Sequence, residues 1–205
     1  MKYLFIAFWW AAYCALHSFL ISISFTRLMT HLLKKYYAFY RLFYVVLSIV
    51  LLIPLIQFTA HADNKIIMTY PPYLNILRQL LLSGSLIMFA WAFFFNYDFL
   101  SFFGIRQILN LGKNNDSTGE IKKNGLLGII RHPMYFALII YLWCRIFTMA
   151  DLAVNILLTI YIIIGTFLEE KKLIIEFGDS YNKYRQEVPM LIPFSKPRLR
   201  FFAGS

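Results

Sequence analysis

Two polar clusters in the C-terminal part of this chain carry side chains that could do chemistry. They are Arg131-His132-Pro133-Met134-Tyr135, and Glu169-Glu170 followed by Phe177-Gly178-Asp179-Ser180-Tyr181-Asn182-Lys183-Tyr184. Pro133 suits the first turn of a helix, where its missing N–H costs nothing, and this puts His132 at or near the N-cap. The free N–H groups there, the positive end of the helix dipole and Arg131 together make a seat for a carboxylate or phosphate. A snorkelling arginine beside a plain capping histidine would look the same in sequence. Glu169-Glu170 closes an otherwise apolar run, so the pair combines like-charge repulsion with nearby hydrocarbon and requires a cation. Arg131 could supply it, as could a ligand amine; Lys171, Lys172 and water are the plainer alternative.

Two apolar stretches separate the clusters, Pro133 to Met149 and Leu152 to Leu168, each about 17 residues and at the lower limit for a bilayer span. Only the Ala150-Asp151 step divides them, so a tight antiparallel hairpin is expected, returning Glu169-Glu170 to the membrane face of Arg131. Three earlier stretches, Leu4 to Phe25, Phe39 to Ala60 and Ile76 to Phe95, bring the total to about five transmembrane helices. With 60% hydrophobic and 15% charged residues in 205, the chain is too apolar for one soluble core. The expected fold is an all-α integral membrane helical bundle. It forms one domain over 1–205, with three N-terminal spans in 1–97 and the cofactor-binding catalytic half in 98–205. Beyond Glu169, the pattern Leu173, Ile174, Phe177, Tyr181 and Tyr184 recurs at helical spacing and predicts an amphipathic C-terminal helix, at least to a break at Gly178. Val188-Pro189-Met190-Leu191-Ile192-Pro193 then ends regular structure and could fold back over the end of the bundle.

The formal net charge is +10. Sixteen of the twenty Lys and Arg fall in or beside the first and third connections and in the tail, against Lys2, Lys65, Arg78 and Arg145 on the other face. The positive-inside rule therefore puts the N-terminus outside and the C-terminus in the cytosol. Basic residues spread over three connections fit contact with a lipid bilayer rather than a nucleic-acid patch. The first stretch reads as a retained helix, since it runs long and shows no small-x-small cleavage site. Cys14 and Cys144 lie in apolar runs without CxxC or zinc-ligand spacing, and there is no HExxH and no dinucleotide or P-loop glycine motif, so no metal site is expected. His17 with Ser18 is a polar pair inside the first span, either a hydrogen-bonded core histidine or a substrate-facing one. Tyr135 and Trp143, on the fourth helix, either pack or turn their ring faces to a cationic ligand. The connection from Asp98 to Ile130 is long and polar, with loop composition over Gly112 to Gly119.

Taken together, Gly125, the RHPMY string, Glu169-Glu170, FGDSYNKY and VPMLIP resemble the isoprenylcysteine carboxyl methyltransferase superfamily, integral membrane enzymes that use S-adenosylmethionine. The likeness covers roughly the last 85 residues. Ala15-Leu16-His17-Ser18, Tyr40-Arg41-Leu42-Phe43-Tyr44, and Asp98 with Phe103-Gly104-Ile105-Arg106-Gln107 are similar to the bacterial NnrU-like branch, which includes methanethiol S-methyltransferases. The resemblance implies that His132, Pro133, Met134 and Tyr135 line the cofactor and that Glu169 binds it beside Glu170, with Glu120, Lys122 and Leu127 nearby. Leu127 stands where prenylcysteine enzymes usually carry Tyr, and Gly165 about where they carry a substrate-binding Arg, so a prenylcysteine carboxylate is not the expected acceptor. The resemblance to the NnrU-like branch implies a small or lipophilic thiol instead. Arg131, Arg106 or His17 could stabilise or generate its thiolate; Arg131 and His17 are the catalytic candidates, and Arg106 and Trp143 the substrate-facing ones. A lipid amine acceptor and a non-enzymatic membrane protein are the alternatives. The expected location is a bacterial inner membrane.

Overall fold

A computed structural model describes residues 1–63, 65–96, 100, 103–109 and 123–195. Helix α1 spans Lys2–Ile21, an unbroken apolar run. Ser22 ends it in an extended conformation and caps the next helix, its hydroxyl accepting from Phe25 N; α2 is Ile23–Leu33. After a 3-10 turn, α3 runs over Tyr37–Ala62 with Pro54 inside. Strand β1 (Ile66–Met68) precedes α4 (Pro72–Trp91), which starts on a proline at its first position and passes into a π turn at Ala92–Asn96. Then follow α5 (Ile105–Leu109), a 3-10 turn at Gly125–Gly128, α6 (Pro133–Cys144), strand β2 (Phe147–Thr148), α7 (Met149–Phe177) and α8 (Asp179–Glu187).

The chain is an all-α membrane bundle. Among the described residues, four stretches are long and apolar enough to cross a bilayer: α1, α2 with α3, α4 extended to Phe95, and α7. The fourth expected span is shorter than its composition suggests. Helix α6 stops at Cys144, about 18 Å from its start at 1.5 Å per residue. Arg145 is extended, and Phe147–Thr148 pairs antiparallel with β1, Ile66 opposite Thr148. The turn of the hairpin thus lies before Met149 rather than at Ala150-Asp151. Asp151 belongs to α7, where its carboxylate accepts from Thr148 N and Oγ1 while its own N–H donates to Thr148 Oγ1. Such reciprocal bonding satisfies donors at the helix start.

The chain forms two interleaved compact units. The first comprises Met1–Tyr70, Asp98–Asp116 and Ile146–Leu158. Its core packs Ile6, Trp10, Ala150 and Val154 against Leu52 and Leu55. Lys2 Nζ donates to Ala62 O at 3.1 Å and Tyr3 Oη to Asp63 at 2.8 Å, tying the start of α1 to the end of α3, so the two helices run antiparallel. At the start of α3 the chain passes Gly104, where φ is +79° and an added Cβ would lie 2.9 Å from Arg41 Cβ and Leu42 N. Both the dihedral and the close approach demand glycine.

The second unit comprises Pro71–Tyr97, Ser117–Arg145 and Thr159–Ser205. Here α4 packs along α6. Trp143 Nε1 donates to Thr159 Oγ1 at 2.9 Å, and His132 meets Glu170 at 2.9 Å, so α6 and this part of α7 are antiparallel and joined near both ends of α6. Gly178, at φ +55°, turns the chain between α7 and α8. That turn lets Tyr181, Tyr184 and Val188 pack back on Leu173, Ile174 and Phe177.

Candidate functional site

The site of interest lies where α6 begins, α7 ends and α8 folds back, all within the second unit. Arg131 is buried, its guanidinium gripping Glu170 with both ends: Nε to Oε1 and Nη2 to Oε2, each at 2.8 Å. Such a planar two-bond pairing is the strongest form of this contact. Nη1 donates to the carbonyls of Arg185, at 3.2 Å, and Val188. The backbone follows suit: Arg131 N–H donates to Pro189 O at 2.9 Å and His132 N–H to Met190 O at 3.2 Å. The segment after α8 therefore straps the residues that lead into α6.

His132 occupies the N-cap position by backbone, yet its side chain makes no cap. The ring turns inward, Nε2 lying 2.9 Å from Glu170 Oε1 and the ring stacking on Tyr135 at 5.6 Å between centroids. Tyr181 Oη donates to the same carboxylate oxygen at 2.8 Å, and Arg185 Nε stands 3.0 Å from Oε2 without hydrogen-bond alignment. Glu170, 2% exposed, is thus fully occupied by protein groups.

Glu169 is different. It is a third exposed, but its Oε2 atom is buried with no hydrogen bond and lies 3.7 Å from His132 Nδ1, which is also buried and unpartnered. Two unmet polar atoms thus face each other beside the first turn of α6. Buried polar atoms are nearly always paired, so a ligand group is the natural occupant.

Of the cofactor-lining residues expected from sequence, His132, Pro133, Met134, Tyr135, Glu169 and Glu170 come together here. Leu127 joins them through its backbone, its carbonyl accepting from Tyr184 Oη at 2.6 Å. Glu120 and Lys122 lie outside the described residues, as do Asp98, the Gly112 to Gly119 stretch and the basic residues after Ser195. Trp143 sits at the far end of α6, bonded to Thr159. His17 and Arg106 belong to the first unit. His17 is held there by Tyr44 Oη, 2.7 Å from Nε2, and by Ser48 Oγ, 3.3 Å from Nδ1. Sequence reasoning named Tyr181 and Tyr184 in the second polar cluster without giving them a role, and did not single out Arg185. The signal was present in their positions on an amphipathic helix that must dock near Glu170.

Burial pushes the Tyr184 hydroxyl up to about 12, with the Glu170 charge adding to it and Arg131 opposing. Burial likewise raises Tyr181 far above the usual tyrosine range, helped by the charge and the hydrogen bond of Glu170. Both hydroxyls therefore remain protonated donors at neutral pH.

No protein-family model matches the chain, and no solved structure does. Curated relatives are found. Methanethiol S-methyltransferase 1 of Bradyrhizobium diazoefficiens is 35% identical over 116 residues, 56% of this chain and 40% of that protein. The methanethiol S-methyltransferase of Crocosphaera subtropica is 34% identical over 121 residues, 58% and 47% of the two chains. That of Pseudomonas deceptionensis is 39% identical over 93 residues, 44% and 36%. The matched stretch spans under half the length of each of these proteins. On sequence, this chain is similar to methanethiol S-methyltransferases over about half its length, in line with the branch that its motifs resemble.

Proposed function

We propose that this chain is an integral membrane methyltransferase that uses S-adenosylmethionine to S-methylate a small or lipophilic thiol. The names of its relatives support the reaction. The observation that carries the cofactor is the buried, unmet pair of His132 Nδ1 and Glu169 Oε2, 3.7 Å apart at the mouth of a helix N-terminus. The Glu169 carboxylate fits an ammonium, and the amide groups that open α6 fit a carboxylate, so the group set suits an amino-acid head group. When bound, S-adenosylmethionine supplies a sulfonium methyl open to in-line displacement.

The chain's own residues hold and orient. Glu169 and His132 take the polar head, while Pro133, Met134 and Tyr135 form the wall beside it. Arg131, saturated by Glu170 and three backbone contacts, fixes the site's shape and keeps Glu170 ionised. Gly165 lies one helical turn before Glu169, and an added Cβ there would meet nothing within 4 Å. That open space on the same helix face is where we place the acceptor, in a setting poor in water that favours charge neutralisation between thiolate and sulfonium. From the Lys and Arg asymmetry, the site faces the cytosol.

Calorimetry of the purified chain in detergent should show binding of S-adenosylhomocysteine, the demethylated product. Glu169→Gln should weaken it about ten- to a hundredfold, the worth of a charge-assisted hydrogen bond, without shifting the unfolding temperature. Unchanged affinity would remove Glu169 from the site. Methyl transfer offered in parallel to a simple alkanethiol, a prenylcysteine analogue and phosphatidylethanolamine should proceed with the alkanethiol. Activity confined to the lipid amine would overturn the thiol assignment and leave the methyltransferase standing.

A further inference from the structure

Helix α2 places no residue in the protein core, although its sequence is amphipathic. Phe25, Met29 and Leu33, at steps of four, share one face, and the exposed Arg27 and His31 fall on the opposite one. The apolar face lines a groove of about 530 Å³ together with Tyr36, Phe39 and Phe43 at the start of α3. That volume lies within the range of small-molecule sites, and every residue lining it is aliphatic, aromatic or methionine. The floor is fixed in place. Tyr40 is buried, its hydroxyl donates to Leu20 O at 2.7 Å, and the Phe25 ring lies 4.6 Å from that of Phe19. Above this floor, Tyr36, Phe39 and Phe43 are 59%, 45% and 58% exposed, so the groove is open along α3.

Cations flank it. Lys34 and Lys35, both exposed, stand in the chain between the lining residues Leu33 and Tyr36, and Lys35 Nζ lies 5.2 Å from the centre of the Tyr36 ring. With Arg27 they form a basic group in a stretch that contains no carboxylate: the first acidic residue of the chain is Asp63, just past the far end of α3. An occupant must therefore combine a long apolar part with a negative group. A second copy of this chain, at a net charge of +10, would set cation against cation. A bilayer supplies both parts in one molecule.

We propose that the groove between α2 and α3 seats one acyl chain of an anionic phospholipid whose phosphate is held by Lys34 and Lys35, with α2 lying along the bilayer interface, Arg27 toward the headgroups. The site lies wholly within the first unit and does not depend on the methyl-donor reading of the second.

Native mass spectrometry of the full chain in detergent, titrated with phosphatidylglycerol or phosphatidylcholine of identical acyl chains, tests the charge. Wild type should bind phosphatidylglycerol about ten- to thirtyfold more tightly, the worth of two lysines at an anionic surface. Lys34→Gln with Lys35→Gln should bind the two lipids alike, whereas Lys171→Gln with Lys172→Gln should keep the preference. Equal loss from either pair would reduce the effect to net charge and overturn the site. A preference that survives at Lys34 and Lys35 would put the phosphate elsewhere and overturn it too, as would wild type that binds both lipids equally. The groove is tested on wild type, so that no variant has to fold. Phosphatidylglycerol carrying a photoreactive group in its acyl chain should label residues 20–43 above all others. Label spread evenly over the spans would mean ordinary bilayer contact, and cross-linking of two chains through Met29 would give the face to a second copy; either result sinks the proposal.

Discussion

A buried guanidinium is stable only where its charge is met, and at Arg131 the charge is met by one of two adjacent glutamates. Removing that partner strands a cation in a place water does not reach. Glu170→Gln is therefore expected to lose roughly 3 to 5 kcal/mol of stability, the cost of breaking a buried pair from one side. Replacing both Arg131 and Glu170 with apolar residues of similar volume should cost less than the single change, because no stranded charge remains. Denaturant titration in a fixed detergent checks both; a Glu170→Gln variant as stable as wild type would mean that Arg131 finds its compensation elsewhere. The sequence showed an arginine, an acidic pair and the need for a cation, yet not which glutamate answers it. Neighbours on a helix point about 100° apart, and the rotation of α7 that sends Glu170 inward is set by its packing against α6 and α8. The role of Tyr181 was not legible for a related reason. Its role depends on a reversal at Gly178 whose direction composition does not encode.

At the scale of elements, α8 is attached by a small apolar cluster and by hydroxyl groups that work only while protonated. Tyr184 ordinarily ionises near 10.0, but in the fold it is held up to about 12. A raised folded-state value means the contribution is fully present below about pH 10 and is lost as pH climbs through about 12, because the unfolded chain releases the proton first. The stability of the second unit should fall over that window, and Tyr184→Phe should flatten the dependence. Spectroscopic titration of tyrosinate alongside unfolding measures the two together; an unchanged slope in the variant would assign the alkaline transition to other groups. The helical spacing from Leu173 to Tyr184 made this element legible, and Gly178 marked its break. The end of α6 was not legible, since apolar residues continue past Cys144. What stops the helix is the pairing of Phe147–Thr148 with Ile66–Met68, a contact between segments far apart in sequence.

For the whole molecule, the decisive property is which face each end of the bundle meets. With sixteen of twenty Lys and Arg on one side of the expected topology, a reporter fused after Ser205 should report from the cytosol. One placed in the connection from Lys65 to Tyr70 should report from the opposite compartment. The reverse labelling would overturn the orientation. Helix α6, short as it is, need not disturb this count. The roughly 18 Å of helix is lengthened by the extended residues that follow, at about 3.3 Å each. Composition made the membrane class plain; the interleaving of two units was not, because residues 146–158 join a core made mostly of the first 70.

The strap from Val188 to Met190 also sets an order in time. Arg131 donates to the carbonyls of Val188 and Pro189 and leans on Glu170, so the residues that complete its shell are translated roughly 60 positions later. At about 5 to 20 residues per second on the ribosome, that is a wait of several seconds. Until Glu170 is made, a cation destined for burial lacks its counter-charge, and until Val188 and Pro189 follow it lacks its carbonyls. A chain whose synthesis stops before Val188 would therefore lack the carbonyls that Arg131 and His132 bond, and its centre would stay open.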